Sequence, residues 1–335
     1  MLRVAINGFG RIGRSALKIL LNRHDVQVVA INDLSAPNIL AHLLRHDSVY
    51  GAYDKKVIAT DDSILVNSRE IKIFNEKEPL ALPWKKLDVD VVIECTGHFT
   101  KLEDAKRHLT AGAKKVVISA PPKSEGIKTV VLGVNEEVVV KTDKIISNAS
   151  CTTNCIAPIM KILESTFGIE KAMMTTVHSY TASQPLLDSS ARGLRETRAA
   201  AENIVPTTTG ASKSAAETIP SLKGHFAGLS VRVPTPVVSL ADITAVLRCE
   251  TTKEELVKLF KKAAKAPYFE GILGITEEEL VSSDFIGDPH SCIVDLPLID
   301  VVGGNMVKIV AWYDNEWGYS NRLVELAVDF GKETA

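Results

Sequence analysis

The chain opens on a strand-type run, Leu2-Arg-Val-Ala-Ile6, followed by the turn Asn7-Gly8-Phe9-Gly10-Arg11-Ile12-Gly13 and a helical pattern over 14–21. A strand feeding a helix through Gly-x-Gly-x-x-Gly restricts the fold more than any other stretch. Gly8 permits the tight turn, Gly10 lets a pyrophosphate approach the backbone, and Gly13 lets the helix pack close to the sheet. Phosphates would sit on the helix N-terminus, where backbone N–H groups have no partner within the helix. The next strand pattern, Val26-Gln-Val-Val-Ala-Ile-Asn-Asp33, ends on a carboxylate about 20 residues past the last glycine, where it reaches the ribose hydroxyls of an adenosine. The same charge repels a 2′-phosphate, so Asp33 favours NAD over NADP. The plain alternative is an aspartate capping the turn ahead of Ala36-Pro37. Asn7, Gly8, Gly10, Arg11, Ile12 and Asp33 are the candidate cofactor contacts in this segment.

Strands and helices continue to alternate. Strands are expected at Val89–Cys95, Lys115–Ser119, Thr129–Leu132 and Lys144–Ser147, and Thr100-Lys-Leu-Glu103 reads as a capping box for a helix ending at Gly112. The alternation implies a mostly parallel sheet. Ligands bind such sheets at the carboxyl ends of the strands, which adds Thr96, Gly97 and Ser119 to the cofactor candidates. Residues 50–85 read as an antiparallel excursion. Lys77, in a polar turn there, is either a contact to the adenine side or an exposed turn lysine.

A second centre lies at Ser150-Cys151-Thr152-Thr153-Asn154-Cys155, between a β-rich run and an apolar, helix-compatible one. A cysteine at a helix N-terminus is expected to have a lowered thiol pKa and to act as a nucleophile. The other reading is a small buried thiol in a turn. Beyond this point strands lengthen and helices thin out. His178, on the strand run 171–180, is either a structural histidine or the base that takes the thiol proton. Residues 181–210 form a long polar segment whose Arg192, Arg195 and Arg198 bind phosphate, pair across a subunit contact, or simply face solvent. Thr209-Gly210 opens a short helix and offers backbone N–H groups to an anion. Arg232, between apolar neighbours in a strand, needs an anionic partner, either a carboxylate or a substrate phosphate.

Composition narrows the partners. A formal net charge of -2 leaves no basic footprint for nucleic acid or an anionic membrane. No apolar run is long enough to span a bilayer, and the first residues run straight into a strand, so no leader peptide is expected. The cysteines, at 95, 151, 155, 249 and 292, are odd in number, which argues against a disulfide framework and for a reducing cytoplasm. Their spacing suggests no metal site. Cys155, one helical turn beyond Cys151, reads as a packed thiol rather than a second nucleophile.

Taken together, the motifs resemble those of the phosphorylating glyceraldehyde-3-phosphate dehydrogenase family, nearly end to end and in the same order. The matching stretches are Asn7–Gly13, Asn32-Asp33, Ser119-Ala-Pro121, Ala149-Ser-Cys-Thr-Thr-Asn-Cys155, Thr176–Thr181, Pro206–Gly210, Arg232–Thr235 and Trp312–Ser320. The resemblance implies a Rossmann-type α/β dinucleotide-binding domain over 1–150 and 314–335, joined to an α+β catalytic domain with a mainly antiparallel sheet over 151–313. It implies that Cys151 attacks an aldehyde, that the hemithioacetal passes hydride to NAD, and that inorganic phosphate releases the thioester as an acyl phosphate. His178 would act as base. Thr181 and Arg232 match the site of the substrate phosphate, and Ser150, Thr152, Thr209 and Gly210 that of the attacking phosphate, with Arg195 beside them. Asn315 would bind the nicotinamide carboxamide. A cytoplasmic homotetramer is implied, in which an S-shaped loop over about 181–205 lines a neighbour's cofactor pocket.

The departures from the family pattern are specific. Ser189-Ser190 stands where many members carry Leu-Pro, a pair that helps exclude NADP, so use of NADP beside NAD is expected. Glu196 stands where many bacterial relatives have arginine. Ser183 replaces a frequent aspartate and Cys95 a frequent serine. Erythrose-4-phosphate dehydrogenase shares the cysteine chemistry and is the alternative enzyme; a nucleotide-sensing or nucleic-acid-binding protein on the same fold is the alternative outside catalysis.

Overall fold

The computed structural model describes residues 1–191 and 193–332. Arg192 lies outside the described residues. The chain divides into two compact units, one of residues 1–130, 137–149 and 320–335, the other of 131–136 and 150–319.

In the first unit, the apolar runs of the sequence become the centre of a 9-stranded sheet. Leu2–Asn7 lies between Val26–Asn32 and Val91–Glu94, parallel to both. Lys115–Ile118, Ile145–Ser147 and Lys128–Thr129 extend the parallel array on one side. On the other side Arg69–Phe74 runs parallel to Val26–Asn32, and Ser63–Val66 and Val57–Ala59 follow it in an antiparallel meander. The excursion over 50–85 is thus antiparallel within itself and joined to the sheet by a parallel strand. Val91, Val92 and Ile93 are fully buried, as a strand covered on both faces requires.

Two helix ends show local chemistry deciding the backbone. The helix Leu102–Thr110 does not use the expected Thr100 capping box: its N-cap is Lys101, and the Ser124 hydroxyl accepts from Leu102 N–H at 2.7 Å. A partner from across the chain has replaced the local cap, and Glu103 pairs with Lys106 instead. At its other end Gly112 has φ +107, and a Cβ there would stand 2.4 Å from Lys85 Cβ.

The second unit is built on an 8-stranded sheet. Phe226–Val233 runs parallel to Ile169–Ser179, and Leu273–Thr276 parallel to Cys292–Asp295; the other pairings are antiparallel. Ile169–Ser179 and Ser239–Leu247 form the middle of the sheet. The helix Cys151–Phe167 buries nearly its whole first three turns, including Thr153, Cys155, Ile156, Ile159 and Met160. The helix Lys253–Ala263 carries a complete capping box between Thr252 and Glu255. No helix among the described residues is long and apolar enough to cross a membrane.

Candidate active site

Cys151 is the first residue of its helix, and Ser150 is the N-cap. The Ser150 hydroxyl accepts from Thr153 N–H at 3.0 Å, so one of the unpaired first-turn donors is satisfied and the helix start is fixed. Ala149 just ahead of it takes φ +55, a left-handed conformation that turns the chain from strand into helix. The sequence thus delivers a cysteine at a capped helix N-terminus.

His178 and Arg232 stand opposite each other in the register of their parallel strands. Cys151 Sγ lies 3.4 Å from His178 Nε2. On the other side of the ring, Nδ1 is 2.7 Å from the Ser179 carbonyl, and Arg232 Nη1 is 3.0 Å from the same carbonyl and 2.5 Å from Nδ1. Arginine has only donors. The guanidinium donates to the Ser179 oxygen, and base chemistry at the sulfur requires the tautomer with the ring proton on Nδ1, facing that same oxygen. That leaves Nε2 with its lone pair facing the sulfur. Burial, then the Arg232 charge, push His178 down to about 3, so the resting ring is neutral and would take the thiol proton only in step with the sulfur's attack.

The expected lowered thiol pKa is not what these surroundings produce. Burial is the largest influence on Cys151 and raises it; the Arg232 charge and hydrogen bonding from Thr152 oppose that rise. Cys151 is partly accessible, so water moderates the effect of burial. The helix N-terminus alone therefore does not ionise this thiol, and a base at hydrogen-bond reach becomes necessary. Cys155 is fully buried, and burial raises its thiol well above the ordinary value, as suits a packed side chain.

Four further groups, to which the sequence reading assigned no role, hold this centre. The Tyr313 hydroxyl bridges Thr152 Oγ1 at 3.0 Å and Thr176 Oγ1 at 2.8 Å, and its ring meets His178 edge-on at 6.0 Å. Ser179 and Ser239 both donate to Asn315 Oδ1, at 2.9 and 3.0 Å. Asn315 is thereby oriented with its NH₂ free to donate elsewhere. Tyr313 and Ser179 lie within matching stretches and Ser239 outside them, but their contacts carry no local signal; the register of the sheet brings them here.

The anion-site candidates are spread out. Arg232 has no carboxylate ion pair among the described residues. Across the antiparallel pairing Val205 faces Arg232 and Thr208 faces Leu229. Thr209 and Gly210 therefore begin roughly 10 Å or more along the strand from Arg232. Gly210 caps the helix Ala211–Thr218, and Thr209 Oγ1 accepts from Ala211 N–H at 3.1 Å. Thr181 Oγ1 lies 2.9 Å from Ser183 Oγ. Arg195 is exposed in a short turn, Arg195–Thr197. Its neighbour Glu196 accepts a short hydrogen bond from the Thr207 hydroxyl. Arg198 pairs with Asp188 at 2.8 Å.

The first unit carries its own cleft of about 460 Å³, lined by Asn7, Gly8, Gly10, Asp33, Lys77 and Thr96 among others. Its glycines divide the work by sterics. Gly8 has φ +94, and a Cβ there would be 2.8 Å from the Cys95 carbonyl carbon. A Cβ on Gly13 would be 2.1 Å from Gly8 O, whereas one on Gly10 would meet nothing within 4 Å. Open space over Gly10 beside a helix start is what a pyrophosphate needs. Asp33 Oδ2 accepts from Phe9 N–H at 2.8 Å and Oδ1 from Ser35 N–H at 2.9 Å, so it caps the local turn. Each oxygen keeps a lone pair for a ribose hydroxyl. Lys77 is exposed at the rim. Arg11, Ile12, Gly97 and Ser119 are not among the lining residues; Arg11 instead pairs with Asp47 at 2.7 Å. These features fit a dinucleotide.

A dinucleotide cleft on one unit and a cysteine–histidine pair on the other define an NAD-dependent dehydrogenase of the kind that works through a covalent cysteine adduct. Residues 2–102 match the glyceraldehyde 3-phosphate dehydrogenase NAD binding domain, and residues 150–315 match the C-terminal domain of the same enzyme. The chain is 51% identical over 337 residues to glyceraldehyde-3-phosphate dehydrogenase 2 of Streptomyces avermitilis, covering 99% of each chain. It is 52% identical to glyceraldehyde-3-phosphate dehydrogenase of Geobacillus stearothermophilus, over 97% of each. With glyceraldehyde-3-phosphate dehydrogenase 1 of Bacillus subtilis the identity is 50%, over 99% of this chain and 98% of the other. The chain belongs to the glyceraldehyde-3-phosphate dehydrogenase family.

Proposed function

We propose that this protein converts D-glyceraldehyde 3-phosphate and inorganic phosphate to 1,3-bisphosphoglycerate, with Cys151 as nucleophile and His178 as acid–base. The observation that carries the assignment is the 3.4 Å approach of Cys151 Sγ to a neutral His178 Nε2. His178 takes the thiol proton as sulfur adds to the aldehyde carbon. Cys151 N–H, at the helix start, and protonated His178 stabilise the oxygen that becomes anionic. The Gly8–Gly13 turn and Asp33 would hold NAD, which would supply the hydride acceptor. Loss of hydride leaves a thioester on Cys151, and His178 holds the hydroxyl proton. A phosphate oxygen then attacks the thioester carbon, and the Cys151 sulfur leaves with its electron pair and is reprotonated through His178.

Arg232, which has no carboxylate ion pair among the described residues, and Thr181 hold the phosphate of the substrate. Ser150, Thr152, Thr209 and Gly210 hold the attacking phosphate, with Arg195 nearby. Asn315, its oxygen occupied by two serine hydroxyls, offers its NH₂ to the nicotinamide amide. The protein works as a cytoplasmic homotetramer. One support for assembly is the sheet face that leaves Met173 71% exposed, with Leu229 also exposed two residues further along the neighbouring strand. The cofactor range extends to NADP through Ser189-Ser190.

The test is phosphate-dependent formation of NADH and NADPH from glyceraldehyde 3-phosphate, with erythrose 4-phosphate assayed in parallel. A preference for erythrose 4-phosphate, or turnover that does not depend on phosphate, would overturn the assignment. A Cys151→Ser protein that kept full turnover would overturn the mechanism.

A further inference from the structure

Glu94 ends the strand Val91–Glu94 and is completely buried, yet among the described residues no lysine or arginine pairs with it. A carboxylate in that position must be compensated by donors. Four converge on it. Asn7 Nδ2 donates to Oε2 at 2.5 Å and Thr96 N–H to Oε1 at 2.7 Å; the Thr96 hydroxyl adds a short bond to Oε1. His108 Nε2, also completely buried, lies 3.1 Å from Oε2.

The chain of bonds behind Glu94 runs in one direction. Trp84 Nε1–H, which can only donate, points at His108 Nδ1 from 3.0 Å. Nδ1 must therefore carry a lone pair, and the ring proton sits on Nε2, facing Glu94. Only an acceptor at position 94 completes this chain. Ahead of Glu94, Asn7 Oδ1 accepts from Asn32 Nδ2 at 2.7 Å, and Asn32 Oδ1 accepts from Glu76 N–H at 2.9 Å. Asn7, Asn32, Glu76 and Thr96 all line the cleft, whereas Glu94, His108 and Trp84 do not.

We infer that Glu94 is a positioning residue for the cofactor: its buried carboxylate holds Asn7 and Thr96 at the cleft wall, and the one-way chain Trp84–His108 holds the carboxylate. The inference rests on the reading that this cleft takes NAD. Glu94→Gln keeps the shape but turns an NH₂ toward groups that are themselves donors, so the wall must shift. A residue serving only the core would lower stability and leave cofactor affinity alone.

NAD is titrated calorimetrically into wild-type and Glu94→Gln full-length protein, with turnover measured on both. Glu94→Gln is expected to weaken NAD binding and raise its KM by about tenfold, with kcat at saturating NAD within about threefold. An affinity within twofold of a wild type that binds NAD overturns the inference. A wild type that fails to bind NAD overturns the cofactor reading instead. If Glu94→Gln does not fold, ¹⁵N NMR of the wild-type His108 ring decides. A neutral ring with its proton on Nε2, whose signal moves on saturation with NAD, is expected. A proton on Nδ1, a charged ring, or a signal indifferent to NAD overturns the inference.

Discussion

His178 and Arg232 meet at one backbone oxygen: Nδ1 and Nη1 lie 2.7 and 3.0 Å from the Ser179 carbonyl. Burial and the adjacent guanidinium hold His178 at about 3 against an ordinary 6.5. The unfolded chain therefore takes up this proton first. The corresponding stability is complete above pH 6.5 and is lost as pH falls toward 3, by up to about 1.4 kcal/mol per pH unit. Urea midpoints at pH 7, 5.5 and 4.5 are expected to fall more steeply for wild type than for His178→Asn. In Arg232→Leu an NMR titration should find His178 moved up toward its ordinary range; an unmoved ring would show that the guanidinium has no hold on it.

Because burial raises the Cys151 thiol, its reactivity is expected to depend on His178 rather than on the helix N-terminus. Alkylation by iodoacetamide at pH 7 should slow by at least about tenfold in His178→Asn, and kcat should fall by about 10²–10⁴. Equal alkylation rates in the two proteins would mean that the thiolate forms without the imidazole.

The glycines of the first turn predict opposite responses to one methyl group. Alanine normally stabilises a helix interior by about 1 kcal/mol over glycine. At Gly13 the new Cβ would stand 2.1 Å from Gly8 O, a backbone atom that cannot move aside, so the sign reverses. Gly13→Ala is expected to lower Tm by several degrees. Gly10→Ala has open space and should melt with wild type, yet bind NAD at least about tenfold more weakly because the methyl occupies the pyrophosphate's path. Calorimetric melting and NAD titration of both variants separate the two roles.

What the sequence made legible follows from range. Gly8, Gly10 and Gly13 act within one turn of chain, so their spacing alone states the steric problem. Ser150 capping a helix that begins at Cys151 is likewise local. Groups brought together by tertiary packing left no local trace: Tyr313 bonds Thr152 across 161 residues, and sheet register brings Asn7 to Glu94 across 87. The Thr100 capping box failed for the same reason, since Ser124 supplies the oxygen from 22 residues on. The expectation of a lowered Cys151 pKa weighed the helix dipole, which is visible in sequence, but not burial, which is a property of the packed unit.

Cofactor range is expected to turn on Asp33 and on the Ser189-Ser190 pair, which pull in different directions. Asp33 stands at the cleft and opposes a 2′-phosphate by charge. Ser189 and Ser190 are exposed and carry hydroxyls that can donate to phosphate oxygens, charge-assisted bonds worth about 1.5–3 kcal/mol each. The Leu-Pro pair of many relatives removes both donors. Ser189 N–H donates to Thr197 O at 2.9 Å, a bond that leucine would keep, and among the described residues no backbone bond from Ser190 N–H stands to be broken by proline. Steady-state kinetics should find measurable NADP turnover in wild type. In Ser189→Leu/Ser190→Pro, kcat/KM for NADP should fall by about tenfold or more, with that for NAD within twofold. A wild type that excludes NADP altogether would leave Asp33 as the sole determinant and refute the role given to the two serines.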